Sequence, residues 1–383
     1  MTLADRRNLD LRSRLVELSA ARILSGAHVL SFQPANQTNE DRYFVEDWVL
    51  LTGRWKMLAV FDGHGAGTEA VDFVLDTLPA TIQSALSVLR NQDISDMRIE
   101  ELLTKCIRDV DMRIQNDLVS LLPGNISQLS DEDIRQAIRD PDSVEGNSRM
   151  EVLRARTGTT ALVALVDPKG SIHVASLGDC DAIVGTNDEG GWKTTVLSAR
   201  HNCGNENEVA RIRAEHRGEA KCVNTETERT LGLIAVTRAM GDVLFKLSAV
   251  YAERVAPLSF PPMHPNYDLK GLAARNLTPP YLSNIAEVVH LAPPQSDTFG
   301  SRLLVLASDG LINILTRTKN VRRLSEAGSL WCSAAVRGGA DHMAVNILWD
   351  VLQGADGHNS FRSMVDGQYG RRVDDITIVV CPL

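Results

Sequence analysis

Apolar positions along the chain follow two periods. Val71, Val74, Leu75, Leu78 and Ile82 recur at helical spacing soon after the glycines at 65 and 67, which predicts a helix with one apolar face. Ile99, Leu102, Leu103, Ile107, Val110 and Ile114 repeat that pattern, and Ala340, Met343, Ala344, Ile347, Leu348, Val351 and Leu352 give a third apolar face over 339–353. A helix is also expected before residue 27 and another over 208–216, and Ser130-Asp131-Glu132-Asp133 reads as a capping box opening a short one. Elsewhere the apolar runs are short and β-like: 27–32, two strands within 42–61 around Thr52-Gly53-Arg54, 159–166, 172–177, 182–184, 303–306 and 376–380. Residues 140–149 have loop composition, and the prolines at 257, 261, 262, 265, 279 and 280 predict a long, mostly irregular excursion over 255–285.

Acidic residues sit where these strands begin and end. Asp62 follows Met57-Leu58-Ala59-Val60-Phe61, Asp309 follows the run 303–306 within Ala307-Ser308-Asp309-Gly310, Asp374-Asp375 leads into Ile376, and Glu40-Asp41 leads into Arg42. A carboxylate at a buried strand end costs free energy unless something offsets its desolvation. Several such ends converging make a site for a hard cation, since oxygen ligands suit magnesium and manganese. Because acids from both ends of the chain would meet, one interleaved domain is favoured over two independent ones.

Composition narrows the class. The chain has 383 residues, 44% hydrophobic and 23% charged, enough for a sizeable core. A net charge of −9 argues against a nucleic-acid partner. The cysteines at 106, 180, 203, 222, 332 and 381 form no C-x-x-C pair and read as reduced thiols in an intracellular protein. No apolar run reaches the ~18–20 residues of a membrane span. Arg6, Arg7, Arg12, Arg14 and Arg22 give the N-terminus the flavour of a transit peptide, while Asp5, Asp10 and Glu17 fit an ordinary surface helix instead.

The ordered motifs Asn39-Glu40-Asp41, Asp62-Gly63-His64-Gly65, Gly158-Thr159-Thr160-Ala161, Gly178-Asp179, Ala235-Val236-Thr237-Arg238-Ala239-Met240-Gly241-Asp242, Ala307-Ser308-Asp309-Gly310 and Asp374-Asp375-Ile376-Thr377 resemble the metal-dependent PPM (type 2C) serine/threonine protein phosphatases. Leu197-Ser198, His201-Asn202, Asn205-Glu206, Arg229, Leu231-Gly232-Leu233, Gly241-Asp242-Val243, Phe245-Lys246 and Thr278-Pro279-Pro280-Tyr281-Leu282 resemble the pyruvate dehydrogenase phosphatase branch of that family. The resemblance implies an α+β fold, a central antiparallel β-sandwich flanked by helices in four α-β-β-α layers. It also implies an N-terminal extension over 1–27, a single phosphatase domain over 28–383, a helical insertion around 85–155 and the long irregular loop around 255–285.

The resemblance further implies hydrolysis of phosphoserine or phosphothreonine by a hydroxide that two Mg2+ or Mn2+ ions activate, with a third, weaker metal site. Asp62 would bridge the metals with the Gly63 carbonyl beside it, and Asp309 and Asp374 would complete the second metal. Glu40 and Asp41 would hold metal-bound waters, and Asp179 would share the third metal with Asp309. His64 would protonate the leaving alkoxide, or alternatively orient a carboxylate. The substrate would be a phosphoprotein, by the narrower resemblance pyruvate dehydrogenase in the mitochondrial matrix; another signalling substrate in the cytoplasm is the alternative. A regulatory subunit is left open. An inactive binding module and a hydrolase of small phosphate esters are the competing functions.

Several positions depart from the family pattern. Asn36 stands where many members have a phosphate-gripping arginine, so substrate would meet an amide in place of a charged fork. Asp181 and Arg200 replace the usual arginine and aspartate, and Ile312 replaces an aromatic residue. Arg238 would contact substrate or pair with an acid such as Asp242. Cys180 reads as a small buried residue, and His201 and His216 as helix-end or surface histidines.

Overall fold

Alternation along the strands sorts their side chains between cores, and this is what builds the layers. The computed structural model describes residues 12–13, 15–33, 37–188, 190–265, 267–293, 301–337, 342–352 and 374–383. Strands β1 (Arg22–Leu24), β2 (Ala27–Phe32), β3 (Arg42–Leu50) and β4 (Gly53–Phe61) come first, followed by helices α1 (Glu69–Ser87), α2 (Asp96–Leu121), α3 (Asp131–Ile138) and α4 (Met150–Arg156). Next come β5 (Ala161–Val166), β6 (Ile172–Leu177), β7 (Asp181–Asp188), β8 (Gly191–Val196), α5 (Glu206–Glu215), α6 (Leu269–Arg275), β9 (Glu287–Leu291) and β10 (Arg302–Ala307). Helices α7 (Asp309–Lys319), α8 (Leu324–Val336) and α9 (Met343–Leu352) precede the last strand, β11 (Ile376–Pro382).

The strands form two main antiparallel sheets, one six-stranded in the order β1-β2-β11-β10-β7-β8, the other five-stranded in the order β9-β6-β5-β4-β3. β11 inserts between β2 and β10, with Ile378 opposite Leu30 and Val305 opposite Val380, so the two ends of the chain are neighbours in one sheet. Leu58 and Val60 of β4 face Leu304 and Leu306 of β10 and Val379 of β11 across the interior of the sandwich. Met57, Ala59 and Phe61, one residue out of phase, face α1 and α2. Leu303, Val305 and Ala307 face α7, α8 and α9 on the opposite side. Period-two alternation thus serves two cores per strand, and the result is the four-layered α-β-β-α sandwich expected. Each fully buried Leu or Val contributes about 1.5–3 kcal/mol.

Helix α2 lies within the 85–155 segment, and its Ile99, Leu103, Ile107, Val110 and Ile114 belong to the core of the five-stranded sheet, forming its outer layer with α1. The capping box at Ser130 is present, with Asp133 and Ser130 bonded reciprocally. The proline-rich stretch is mostly irregular, as its composition predicts, yet it is packed against the core. It contains α6, and Leu272, Tyr281 and Leu282 are buried in the same core. Tyr281 stacks on His216 at 4.1 Å, and its hydroxyl accepts from the amides of Leu277 and Thr278. Proline removed backbone donors there, and side-chain burial supplied the order instead. Among the described residues, no helix is long and apolar enough to cross a membrane.

Candidate metal centre

The acids meet because all the strand ends that carry them lie at one edge of the sandwich. Asp62 leaves β4, Asp309 leaves β10, Asp374 and Asp375 enter β11, Glu40 and Asp41 enter β3, and Asp179 sits in the turn between β6 and β7. Glu40, Asp62, Gly63, His64, Asp179, Asp309, Asp374 and Asp375 line one cleft of about 600 Å³. Asp41 lies behind it, 3% exposed. Of the residues proposed from sequence, Asn36 falls outside the described residues and the others gather here.

Backbone contacts fix the arrangement. The Asp62 amide donates to Thr160 Oγ1 at 3.0 Å, and its carbonyl accepts from the Thr160 amide at 2.9 Å. The Glu40 amide donates to Asp375 Oδ2 at 2.6 Å, tying the entry of β3 to the entry of β11. Gly63 is required by this closeness: a Cβ there would lie 2.4 Å from the Glu40 carbonyl oxygen. Asn313 donates to Asp309 at 3.0 Å, Asn202 to Asp179 at 3.1 Å, and Ser308 Oγ to Asp41 Oδ2 at 2.7 Å.

These donors are too few for the charge. Burial, then the negative charges of Asp41, Asp309, Asp179 and Asp374, push the Asp62 carboxyl well above the usual range. Burial, then Asp179 and Asp374, do the same to Asp309. Asp41 rises to about 7, chiefly through burial, with Ser308 pulling it back and Asp375 and Asp374 adding to the rise. Asp41 Oδ1 is buried without a hydrogen-bond partner, and buried polar atoms are rarely left so. Repelling carboxylates, an orphaned oxygen and an all-oxygen donor set fit a hard divalent cation.

His64 stands at the rim of this cluster. The short strand Gly63–His64 pairs with Gly158–Thr159, which pairs with Met240–Gly241, and this ribbon sets His64 Nε2 2.6 Å from Asp242 Oδ2. Gly158 makes room for the pair, since a Cβ there would come 2.0 Å from that carboxylate oxygen. Burial pulls the imidazole pKa down, but the charge and hydrogen bond of Asp242 outweigh it and the net shift is upward. Asp242 was visible in the sequence as part of a motif and as a candidate partner of Arg238. Its role was missed because the partner lies 178 positions away.

The acid that pairs with Arg238 is Glu208, at 2.6 Å, and not Asp242. Arg211 and Thr237 also bind Glu208, which burial pushes up but these donors together hold far below the usual carboxylate range. His216 sits at the C-terminal end of α5, the helix-end reading, and both His201 and His216 are buried, at 1% and 4% exposure, so neither is a surface residue. Cys180 is buried as expected, its sulfur 3.1 Å from Thr160 Oγ1.

Two departures from the family pattern prove to be one exchange. Arg200 forks onto Asp181, Nε to Oδ1 at 2.8 Å and Nη2 to Oδ2 at 2.6 Å, with Asp181 fully buried. The positions where the resemblance leads to arginine and aspartate hold aspartate and arginine, and in this chain the two are ion-paired with each other. Arg200 also carries its charge towards Asp179 and Asp309.

Comparison with known proteins agrees with this geometry. Residues 26–323 match the protein phosphatase 2C family. The mitochondrial pyruvate dehydrogenase (acetyl-transferring) phosphatase 1 of Bos taurus is 32% identical over 330 residues, covering 76% of this chain and 59% of that protein. The mitochondrial phosphatase 2 of the same description from Homo sapiens is 29% identical, covering 75% of this chain and 59% of that protein. The match thus spans 59% of the length of these curated relatives. The crystal structure of a serine-threonine phosphatase 2C from Toxoplasma gondii shares the fold, with a TM-score of 0.52 at 15% identity over 95% of this chain and 98% of that one. The chain belongs to the protein phosphatase 2C family.

Proposed function

We propose that this protein is a metal-dependent protein serine/threonine phosphatase. The observation that carries the reading is the convergence of Asp62, Asp309 and Asp374 in one cleft beside a histidine whose pKa is raised. Asp62 and the Gly63 carbonyl would hold two divalent cations together with Asp309 and Asp374. Glu40 and Asp41 would act through ordered waters, and Asp179 with Asp309 would offer a weaker third position. Bound there, Mg2+ or Mn2+ supplies Lewis acidity and neutralises phosphoryl charge.

The remaining roles fall to the chain itself. Asp242 keeps His64 protonated and aimed, and His64 donates that proton to the serine or threonine oxygen as the P–O bond breaks. Asn36 would contact the phosphate in place of arginine. The stretch 28–383 acts as one catalytic unit in this reading, because Asp41 and Asp374 come from its opposite ends. The names of the curated relatives support a phosphoserine of pyruvate dehydrogenase as substrate and a mitochondrial location.

The test is phosphate release from a phosphoserine peptide with Mn2+ or Mg2+, repeated with chelator, and then from phosphorylated pyruvate dehydrogenase. Metal-dependent release from the peptide supports the activity, and preference for the dehydrogenase supports the substrate. Folded, metal-loaded protein that releases nothing would replace this reading with a binding module. Equal turnover of free phosphate esters would favour a small-ester hydrolase.

A further inference from the structure

A second cluster of metal-ligating side chains lies away from the cleft. His173 on β6 and His290 on β9 are direct cross-strand partners, so their side chains share one face of the five-stranded sheet. That face is the one covered by α2, whose first residue is Asp96. The imidazole rings are 4.9 Å apart, and His290 Nε2 lies 3.1 Å from Asp96 Oδ1. One ligand atom from each of the three residues falls within 4.8 Å of the others.

His173 supplies an independent observation. It is 1% exposed, and neither ring nitrogen has a hydrogen-bond partner. Nε2 stops 3.9 Å from Asp167 Oδ2, beyond hydrogen-bond reach. Buried polar atoms are rarely left unsatisfied, and here both nitrogens of one imidazole are. Asp167 itself is held in place, accepting from the amides of Lys169 at 2.8 Å and Ser171 at 2.9 Å.

We propose that Asp96, His173 and His290 form a second cation site, separate from the carboxylate cleft, that takes a borderline transition ion of the zinc type. Two imidazoles and one carboxylate are the donor set such an ion prefers, whereas the all-oxygen cleft suits harder cations. Zinc bonds of about 2.0–2.1 Å place neighbouring ligand atoms roughly 3.4 Å apart in a tetrahedron. Asp96 and His290 are 61% and 29% exposed, so their side chains have the freedom to close that gap on the fixed His173. The exposed side leaves a fourth position for water. The ion would clamp the start of α2 to β6 and β9, at the end of β6 remote from Asp179.

The experiment titrates chelator-stripped full chain with Zn2+ against a chromophoric competitor, and with Co2+ read by its visible spectrum. Wild type, Asp309→Asn, His290→Ala and Asp96→Asn are compared, with circular dichroism confirming each fold. One equivalent of zinc that persists in Asp309→Asn and disappears in His290→Ala and Asp96→Asn is the expected result. Zinc binding that is absent in wild type, unchanged in His290→Ala, or lost with Asp309→Asn overturns the proposal.

Discussion

Two buried groups of acids sit a short way apart in this protein and behave in opposite ways. Asp111 on α2 is fully buried and receives Lys246 Nζ and the Gly241 amide on one oxygen, at 2.7 and 2.8 Å. Gln115 and Asn284 donate to the other at 2.7 and 2.8 Å. Its donors come from several segments, and it pins the Met240–Gly241 strand, and so Asp242, against the helix. In and behind the cleft, Asp41, Asp62, Asp179 and Asp309 repel one another, and sparse donors leave one oxygen of Asp41 orphaned. A buried carboxylate ringed by donors is structural. A buried carboxylate ringed by carboxylates takes up a proton or a cation, which is what marks the cleft as a candidate binding site.

The contrast breaks most sharply at Asp309. Asp309→Asn is expected to cut turnover of a phosphoserine peptide by orders of magnitude while circular dichroism and melting stay near wild type; near-normal rates would refute the assignment. Asp242→Asn should act on His64, lowering its pKa. Since His64 must be protonated to donate, the alkaline limb of the kcat–pH profile should move to lower pH, and kcat should fall by about 10²–10⁴-fold if the proton is no longer available. A profile that keeps its shape would reduce Asp242 to packing.

On the structural side, Asp111→Ala strands the Lys246 charge and should lower stability by about 3–5 kcal/mol in denaturant titration; a loss under 1 kcal/mol would dissolve the distinction. The cleft predicts a pH effect of the opposite kind. Asp41 has its folded pKa raised from 3.8 to about 7, so the folded state binds the extra proton. The contribution of Asp41 to the stability of the metal-free protein should therefore be fully present below 3.8 and lost as pH rises through about 7. Adding Mg2+ or Mn2+ at a hundred times its Kd should restore about 2.7 kcal/mol, more visibly at the upper end of that window. A thermal shift independent of pH would count against the mutual-repulsion account. The smallest effect concerns the reversed pair. Arg200→Ala should cost about 1.5–3 kcal/mol, and the double exchange Asp181→Arg with Arg200→Asp should recover most of it. No recovery would mean that the neighbouring Asp179 and Asp309 fix the charge order.

Much of this was readable before folding. The residues of α1 and α2 keep helical spacing because each covers a sheet with one face, and β4, β10 and β11 are marked by short apolar runs because both their faces are buried. Asp62, Asp309 and Asp374 were legible because acids adjoining such runs conflict with local burial. The proline-rich stretch is mostly irregular, in keeping with its composition, but the burial of its Tyr281 and Leu272 against residues distant in sequence was not readable there. The partners of His64 and Arg238 were hidden because sequence proximity carries no information on contacts 178 and 30 positions apart.

The sequence by itself determined the periodicities, the strand-end acids and the histidine two places after Asp62, because each is a local conflict or agreement between residue type and element. Tertiary structure alone decided that Asp242 holds His64, that Asp181 and Arg200 are one inverted pair, and that His173, His290 and Asp96 share a face. Those facts depend on register between strands and on the docking of α2, where geometry is set by the sum of many contacts rather than by any one segment.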